Sequence, residues 1–237
     1  MKRQHFELNY INDKKIAIVS INRPPVNAFT TESYLEIESI IKEVSEDPKT
    51  CVIVLNSKAR LFSAGADVNE LKSNNEKQSA ERKSALRRAI KSLHQCRIPL
   101  ITSVNGAVIG AGAIFASCGD MIIASNDSYF SIPEINIGVV GGAKGLTKII
   151  PPQKVRTLAL TGEKINVQDI EKYGGVELIT EKRKLEEETI NLAKKISDKG
   201  ALAVRKWKEA LLLTDSVGFL EGFYIEQSLS QDLSAFK

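Results

Sequence analysis

Three short stretches combine residue types that could do chemistry. "SIPEINIG" (131–138) carries Glu134 just after Pro133, while "FSAGADVNEL" (62–71) and "NGAVIGAG" (105–112) offer small residues whose backbone N–H groups no side chain covers. Together they read as a site with two backbone donors and one carboxylate. Singly, each has a plainer reading: Ala-Gly turns pack closely, and a Glu after Pro is usually solvated. Gly106, Gly110 and Gly112 fall within eight residues, a density that weakens regular elements and needs a reason. Either two elements approach closely there, or a ligand must touch bare backbone. Spacing alone does not choose.

Other constellations fail on inspection. "GAGAIF" has Phe115 where a dinucleotide fingerprint needs its third small residue. In "GVVGGAKGLT", Gly145 follows Lys144 where a phosphate-binding loop needs Ser or Thr. "LFSAG" opens on Leu61 rather than Gly, so Ser63 sits in no nucleophile elbow. With only His5 and His94, and no CxxC, no metal cluster is recognisable. The expectation is no metal and no separate cofactor.

Composition narrows the class. A chain of 237 residues, 43% hydrophobic and 26% charged, suits one large globular domain or a domain with an appendage. The net charge of +4 is mild: a lysine-rich surface explains it, and attraction to a polyanion is the sharper alternative. Cys51, Cys96 and Cys118 are odd in number and mostly set in apolar runs, which suits buried free thiols in a reducing compartment. No secretory signal and no membrane-length apolar run is visible, so the expected location is the cytoplasm, with no membrane contact.

The elements that must position the three stretches follow from periodicity. "KKIAIVSIN" (14–22) alternates as a strand and ends at Pro24 and Pro25. "TTESYLEIESIIKEV" (30–44) opens with threonine caps and spaces Leu35, Ile37, Ile40, Ile41 and Val44 as a helix. Further strands are expected at 51–57, 99–106 and 120–125, with a helix ending near Cys96 and a short one after residue 110. This alternation argues for parallel sheets with helical crossovers. Beyond about residue 142 the pattern turns helical: Gly174 and Gly175 read as a helix C-cap, "VELIT" as a last strand, and 184–213 and 217–237 as helices. The polar piece 72–84 is the candidate for mobility. All three chemical stretches end expected strands, where α/β sheets bind ligands.

The order and spacing of "INRPPVNAF", "FSAGADVNEL", "VNGAVIGAGAIFASCGD", "YFSIPEINIGVVGGAKGL" and "TGEKINVQDIEKYGGVELI" resemble the crotonase superfamily, the enoyl-CoA hydratase/isomerase family, from about residue 5 onward. The resemblance implies an α/β fold, a crotonase-like spiral of ββα turns over residues 1–183 with a helical C-terminal region at 184–237, commonly built into homotrimers or dimers of trimers. It implies an acyl-CoA thioester substrate, with coenzyme A as part of that substrate. Ala66 and Ala111 match the positions whose backbone N–H groups bind the thioester oxygen and stabilise the enolate formed by proton removal. Val26, Ala28, Ala64 and Asp67 match the path of CoA, and Ile114 and Gly142 match pocket-lining positions. Glu134 matches a catalytic glutamate.

Departures from the family pattern shape the expected reaction. Family hydratases carry a second glutamate at the position of Ile114, which can neither give nor take a proton. Δ3-Δ2 enoyl-CoA isomerases resemble this chain instead, with one glutamate and an apolar neighbour that raises its pKa by desolvation. The expected activity is therefore isomerisation by Glu134. The alternatives are hydration, a decarboxylase-like reaction, or non-catalytic binding of acyl-CoA or RNA. Gly141 and Lys144 stand where the family usually has Pro and Gly; Lys144 is either a solvated lysine or a contact for a substrate carboxylate. The basic helix at 81–97, with Arg82, Lys83, Arg87, Arg88, Lys91 and Arg97, has an apolar stripe opposite and no interleaved aromatics, so RNA ranks well below catalysis. The family usually runs on for one or two further helical segments. Either the pocket is more open here or Lys237 marks a truncated end.

Overall fold

Residues 3–234, apart from residue 74, are described by a computed structural model; Lys237 lies outside the described residues. The chain opens with a hairpin. Phe6–Ile11 (β1) pairs antiparallel with Ile16–Ile21 (β2), across a turn where Asn12, Asp13 and Lys14 all take positive φ. β1 was not expected from the sequence. Glu36, 4% exposed, secures its start by accepting the backbone N–H groups of Gln4, His5 and Phe6.

Thr31–Glu46 (α1) begins with a capping box: Thr30 accepts from the Ser33 N–H, and the Ser33 hydroxyl accepts from the Thr30 N–H. Val52–Ser57 (β3), Val68–Ser73 (α2), Glu76–His94 (α3), Leu100–Val104 (β4), Ala107–Ile109 (β5), Ala111–Ser117 (α4), Met121–Ser125 (β6) and Tyr129–Ser131 (β7) follow. A 3₁₀ helix, Pro133–Ile137, leads to Ala143–Leu146 (α5), Pro152–Thr161 (α6), Lys164–Asn166 (β8), Val167–Glu171 (α7) and Leu178–Thr180 (β9). Three helices complete the described chain: Leu185–Ser197 (α8), Ala201–Thr214 (α9) and Phe219–Ser234 (α10). The continuous helix expected over 184–213 is two. Gly200, at φ +84°, leaves the helical region and separates them. The segment 72–84 lies largely within the end of α2 and the start of α3, whose N-terminus Asn75 caps.

Two sheets result. One runs β1-β2-β3-β4-β6-β9, parallel throughout except for the β1–β2 hairpin. The other runs β5-β7-β8, with β5–β7 parallel and β7–β8 antiparallel. β3 explains its own apolar run. Ile53 and Leu55 enter the main core with α1, α3 and α4, while Val52 and Val54 face the opposite way into a second core with Ile16, Ile101 and Ile123. A strand buried on both faces has no polar alternation to show. Leu185 and Ala193 of α8 close that second core.

α9 is fastened by two cations, one half-buried and one buried. Arg205 donates to the carbonyls of Ser45, Asp47 and Thr50 at the end of α1, and Lys208, 3% exposed, pairs with Asp120. Cys51, Cys96 and Cys118 are free and buried, and burial pushes the Cys118 thiol up to about 11. Among the described residues no helix is long and apolar enough to cross a membrane, and no group of three or more His, Cys, Asp or Glu could hold a metal ion.

Candidate active site

The three stretches meet through the main chain. Phe62 N–H donates to Asn105 O (2.7 Å), Ser63 N–H to Ala107 O (3.2 Å) and Ile109 N–H to Ser63 O (2.9 Å), so loop 62–66 runs alongside β5. Gly110 N–H donates to Ser131 O (2.8 Å) and brings in the third stretch. Asn27, fully buried at φ +50°, holds the arrangement from behind. Its Nδ2 donates to Ser57 Oγ (2.8 Å) and Phe62 O (3.1 Å), and its Oδ1 accepts from Arg23 N–H.

Among the described residues, the N–H groups of Ala66 and Ala111 have no protein acceptor. Gly65, at φ +89°, turns the loop against the start of α4: a Cβ there would lie 2.9 Å from Ile109 O and 3.5 Å from Ala111 N. Phe29 bridges this loop through Gly65 O and Asp67 N–H, which leaves Ala66 N–H with no acceptor among the described residues. Ala111 is the first residue of α4, where an N–H has no partner within the helix. The close approach at Gly65 places both donors on one wall.

The glycines at 110 and 112 allow close approach of neighbouring side chains. Gly112 packs against loop 62–66, since a Cβ there would sit 2.8 Å from Ser63 Cβ. Gly110 makes room for the acid: its added Cβ would fall 2.6 Å from Glu134 Oε1.

These elements enclose a cavity of about 490 Å³. Ala64, Ala66, Ala111, Ile114, Glu134 and Gly142, six of the residues singled out from the sequence, line it. Among the described residues that line it, Glu134 is the one carboxylate. Burial holds the Glu134 carboxyl above its usual range, opposed by a hydrogen bond from its own backbone N–H, and its Oε2 has no partner. Ile114 packs toward Gly142 and Gly145, its side chain 3.7 Å and 3.5 Å from the positions a Cβ would take. The wall therefore offers one carboxylate and two bare N–H donors beside apolar residues.

A family model for enoyl-CoA hydratase/isomerase matches residues 12–235. The chain belongs to this family. A crotonyl-CoA hydratase from Syntrophomonas wolfei is 30% identical over 84% of this chain and 78% of its own. A (7aS)-7a-methyl-1,5-dioxo-2,3,5,6,7,7a-hexahydro-1H-indene-carboxyl-CoA hydrolase from Rhodococcus jostii is 28% identical over 92% of this chain and 85% of its own. The crystal structure of an enoyl-CoA hydratase from Bacillus anthracis superposes with a TM-score of 0.90 at 27% identity, covering 96% of this chain and 90% of that one. The fold is the crotonase fold, and the chain is an acyl-CoA enzyme of the enoyl-CoA hydratase/isomerase family.

The remaining positions matched to the family's CoA path lie outside the cavity lining. Val26 O accepts from Ala64 N–H (2.9 Å), and Ala28 O accepts from Arg23 Nη1 (3.0 Å). The Asp67 carboxylate pairs with Arg23 (2.9 Å) and accepts the N–H groups of Asn69 and Glu70 at the start of α2. Those contacts hold the Asp67 carboxyl below its usual range, against the opposing effect of burial. Lys144 is exposed and outside the lining. Lining residues not anticipated include Tyr34 from α1 and Arg82, Lys83 and Arg87 from α3. Three basic residues of α3 thus border the cavity mouth, with Lys83 and Arg87 exposed, while Arg88 pairs with Glu38.

Proposed function

We propose that the protein is a Δ3-Δ2 enoyl-CoA isomerase working with a single acid–base residue. The observation that carries this reading is Glu134 as the one carboxylate among the described residues lining the cavity, with Ile114 where family hydratases have a second. Glu134 removes a proton from C2 of a 3-enoyl-CoA. The electrons form a dienolate whose oxygen the N–H groups of Ala66 and Ala111 hold. Glu134, now protonated, delivers the proton to C4, and the double bond comes to rest between C2 and C3. Desolvation favours this cycle, because a carboxyl with a raised pKa is a stronger base towards a weakly acidic C–H. The apolar wall also keeps out water that would trap the dienolate.

The test offers the protein a 3-enoyl-CoA and, separately, a 2-enoyl-CoA, and follows the absorbance of the conjugated thioester. Conjugation from the first with little hydration of the second is the expected result. Hydration of the 2-enoyl-CoA would overturn it. A second reading, hydrolysis, rests on the relative from Rhodococcus jostii, whose name is that of a hydrolase. There Glu134 takes a proton from water as it attacks a substrate carbonyl, and free acid or a ring-opened product marks the outcome.

Val26, Ala28 and Asp67 are proposed to flank the CoA path outside the cavity. A homotrimer or a dimer of trimers is the proposed assembly: Trp207 and Leu211 of α9 and Phe219, Leu220 and Tyr224 of α10 stand 56–86% exposed, an apolar face that calls for cover. A cytoplasmic site of action fits the three buried free thiols. Residues 1–183 and 184–237 are proposed as core and helical region.

A further inference from the structure

Two polar groups on the cavity wall have no part in the proton shuttle. Tyr34 is 0% exposed, its ring set 5.8 Å from Phe29 and 6.0 Å from Phe115, and its hydroxyl has no hydrogen-bond partner. Arg82 Nε is likewise buried and unpartnered. Both residues line the cavity that holds Glu134. A buried donor with no acceptor is destabilising, so two on one wall call for a ligand that supplies oxygen. Burial pushes the Tyr34 hydroxyl far above its usual range, so it stays protonated and able to donate.

Charge defines that oxygen further. Arg82, Lys83 and Arg87 line the cavity against the single carboxylate of Glu134. Glu70, the other acid that acts on Tyr34, is already engaged: it accepts from the Thr31 hydroxyl (2.7 Å) and the Thr31 N–H (3.0 Å). Around these groups the wall is apolar, with Val68, Leu71 and Leu86. Lys83 and Arg87 are exposed, where a hydrated phosphate can meet them, whereas Tyr34 lines the cavity as a fully buried residue packed on Phe29 and Phe115.

We propose that Tyr34 and Arg82 form a subsite for a carboxylate at the far end of the acyl chain, so that the substrates are CoA thioesters of dicarboxylic acids. This rests on the acyl-CoA reading of the site. It gives the substrate-carboxylate contact to Arg82 and Tyr34 rather than to Lys144.

Calorimetric titration with unreactive thioesters tests it. Succinyl-, glutaryl-, adipyl- and pimelyl-CoA are compared with butyryl-, pentanoyl-, hexanoyl- and heptanoyl-CoA. The wild-type protein is expected to bind at least one carboxylated thioester roughly tenfold more tightly than its plain counterpart. In Tyr34→Phe and Arg82→Gln the ratio should fall towards one, and Arg82→Lys should recover part of it. Circular dichroism identifies the variants that remain folded. Equal binding of the two series, or a preference that survives both substitutions, overturns the subsite alone. Failure of every thioester to bind overturns the acyl-CoA reading and the subsite with it.

Discussion

Glu134 gains basicity at the expense of stability. Its folded pKa is raised, so the native state binds its proton more readily than the unfolded chain does. Stability from this group is therefore greatest at low pH and declines as pH rises from the ordinary carboxylate range through the raised value. Glu134→Gln should unfold at or above the wild-type temperature at neutral pH, with the difference closing on acidification. Isomerisation should fall ~10²–10⁴-fold in the same variant. The rate of the wild-type enzyme should drop as pH descends through the raised pKa, because only the ionised carboxylate can accept the C2 proton. Gly110→Ala is expected to displace the carboxylate, since its Cβ would fall 2.6 Å from Oε1 at a φ of +53° that disfavours any side chain. Activity should be lost in Gly110→Ala while the circular dichroism spectrum stays native. Ile114→Glu puts a second acid on the wall and should bring measurable hydration of a 2-enoyl-CoA.

Elements set the reach of these side chains, and they differ in how far the sequence revealed them. α1 and β3 were plain, one from its threonine caps and apolar stripe, the other from an unbroken run that two cores demand. β1 does show the alternation of a strand, Phe6, Leu8 and Tyr10 against Glu7 and Asn9, but without the β-branched run that marks β2, whereas β5, β7 and β8 span three residues each, too few to show a period. The three chemical stretches were legible because glycine and proline mark strand ends. Tyr34 was not: it shares a helical stripe with Ile37 and Ile41, and nothing local distinguishes a partnerless hydroxyl from a core one. Asn27 was likewise passed over between Val26 and Ala28, although its side chain carries the loop. Asn27→Gly keeps the positive φ and removes only those hydrogen bonds; it should destabilise by about 1–3 kcal/mol in chemical denaturation. Asp67→Ala removes the cap of α2 and should lower stability by ~0.5–2 kcal/mol.

At the scale of the molecule, the exposed apolar face of α9 and α10 bears on assembly. Sedimentation velocity should give three or six chains, and Trp207→Glu with Leu211→Glu should shift the protein towards single chains. The main-chain ties among residues 62–66, 105–112 and 131 have a different consequence. In the proposed reaction the enolate is held by peptide N–H groups, which among substitutions only proline removes, whereas the acid and the cavity wall are side chains open to any exchange. Heredity therefore acts on the two halves of the site unequally. In that reading the ability to hold an enolate comes with the backbone, while the fate of that enolate and the length and charge of the acid it came from can change within a few substitutions. A lineage built on such a frame would be expected to change substrates often and its central intermediate almost never.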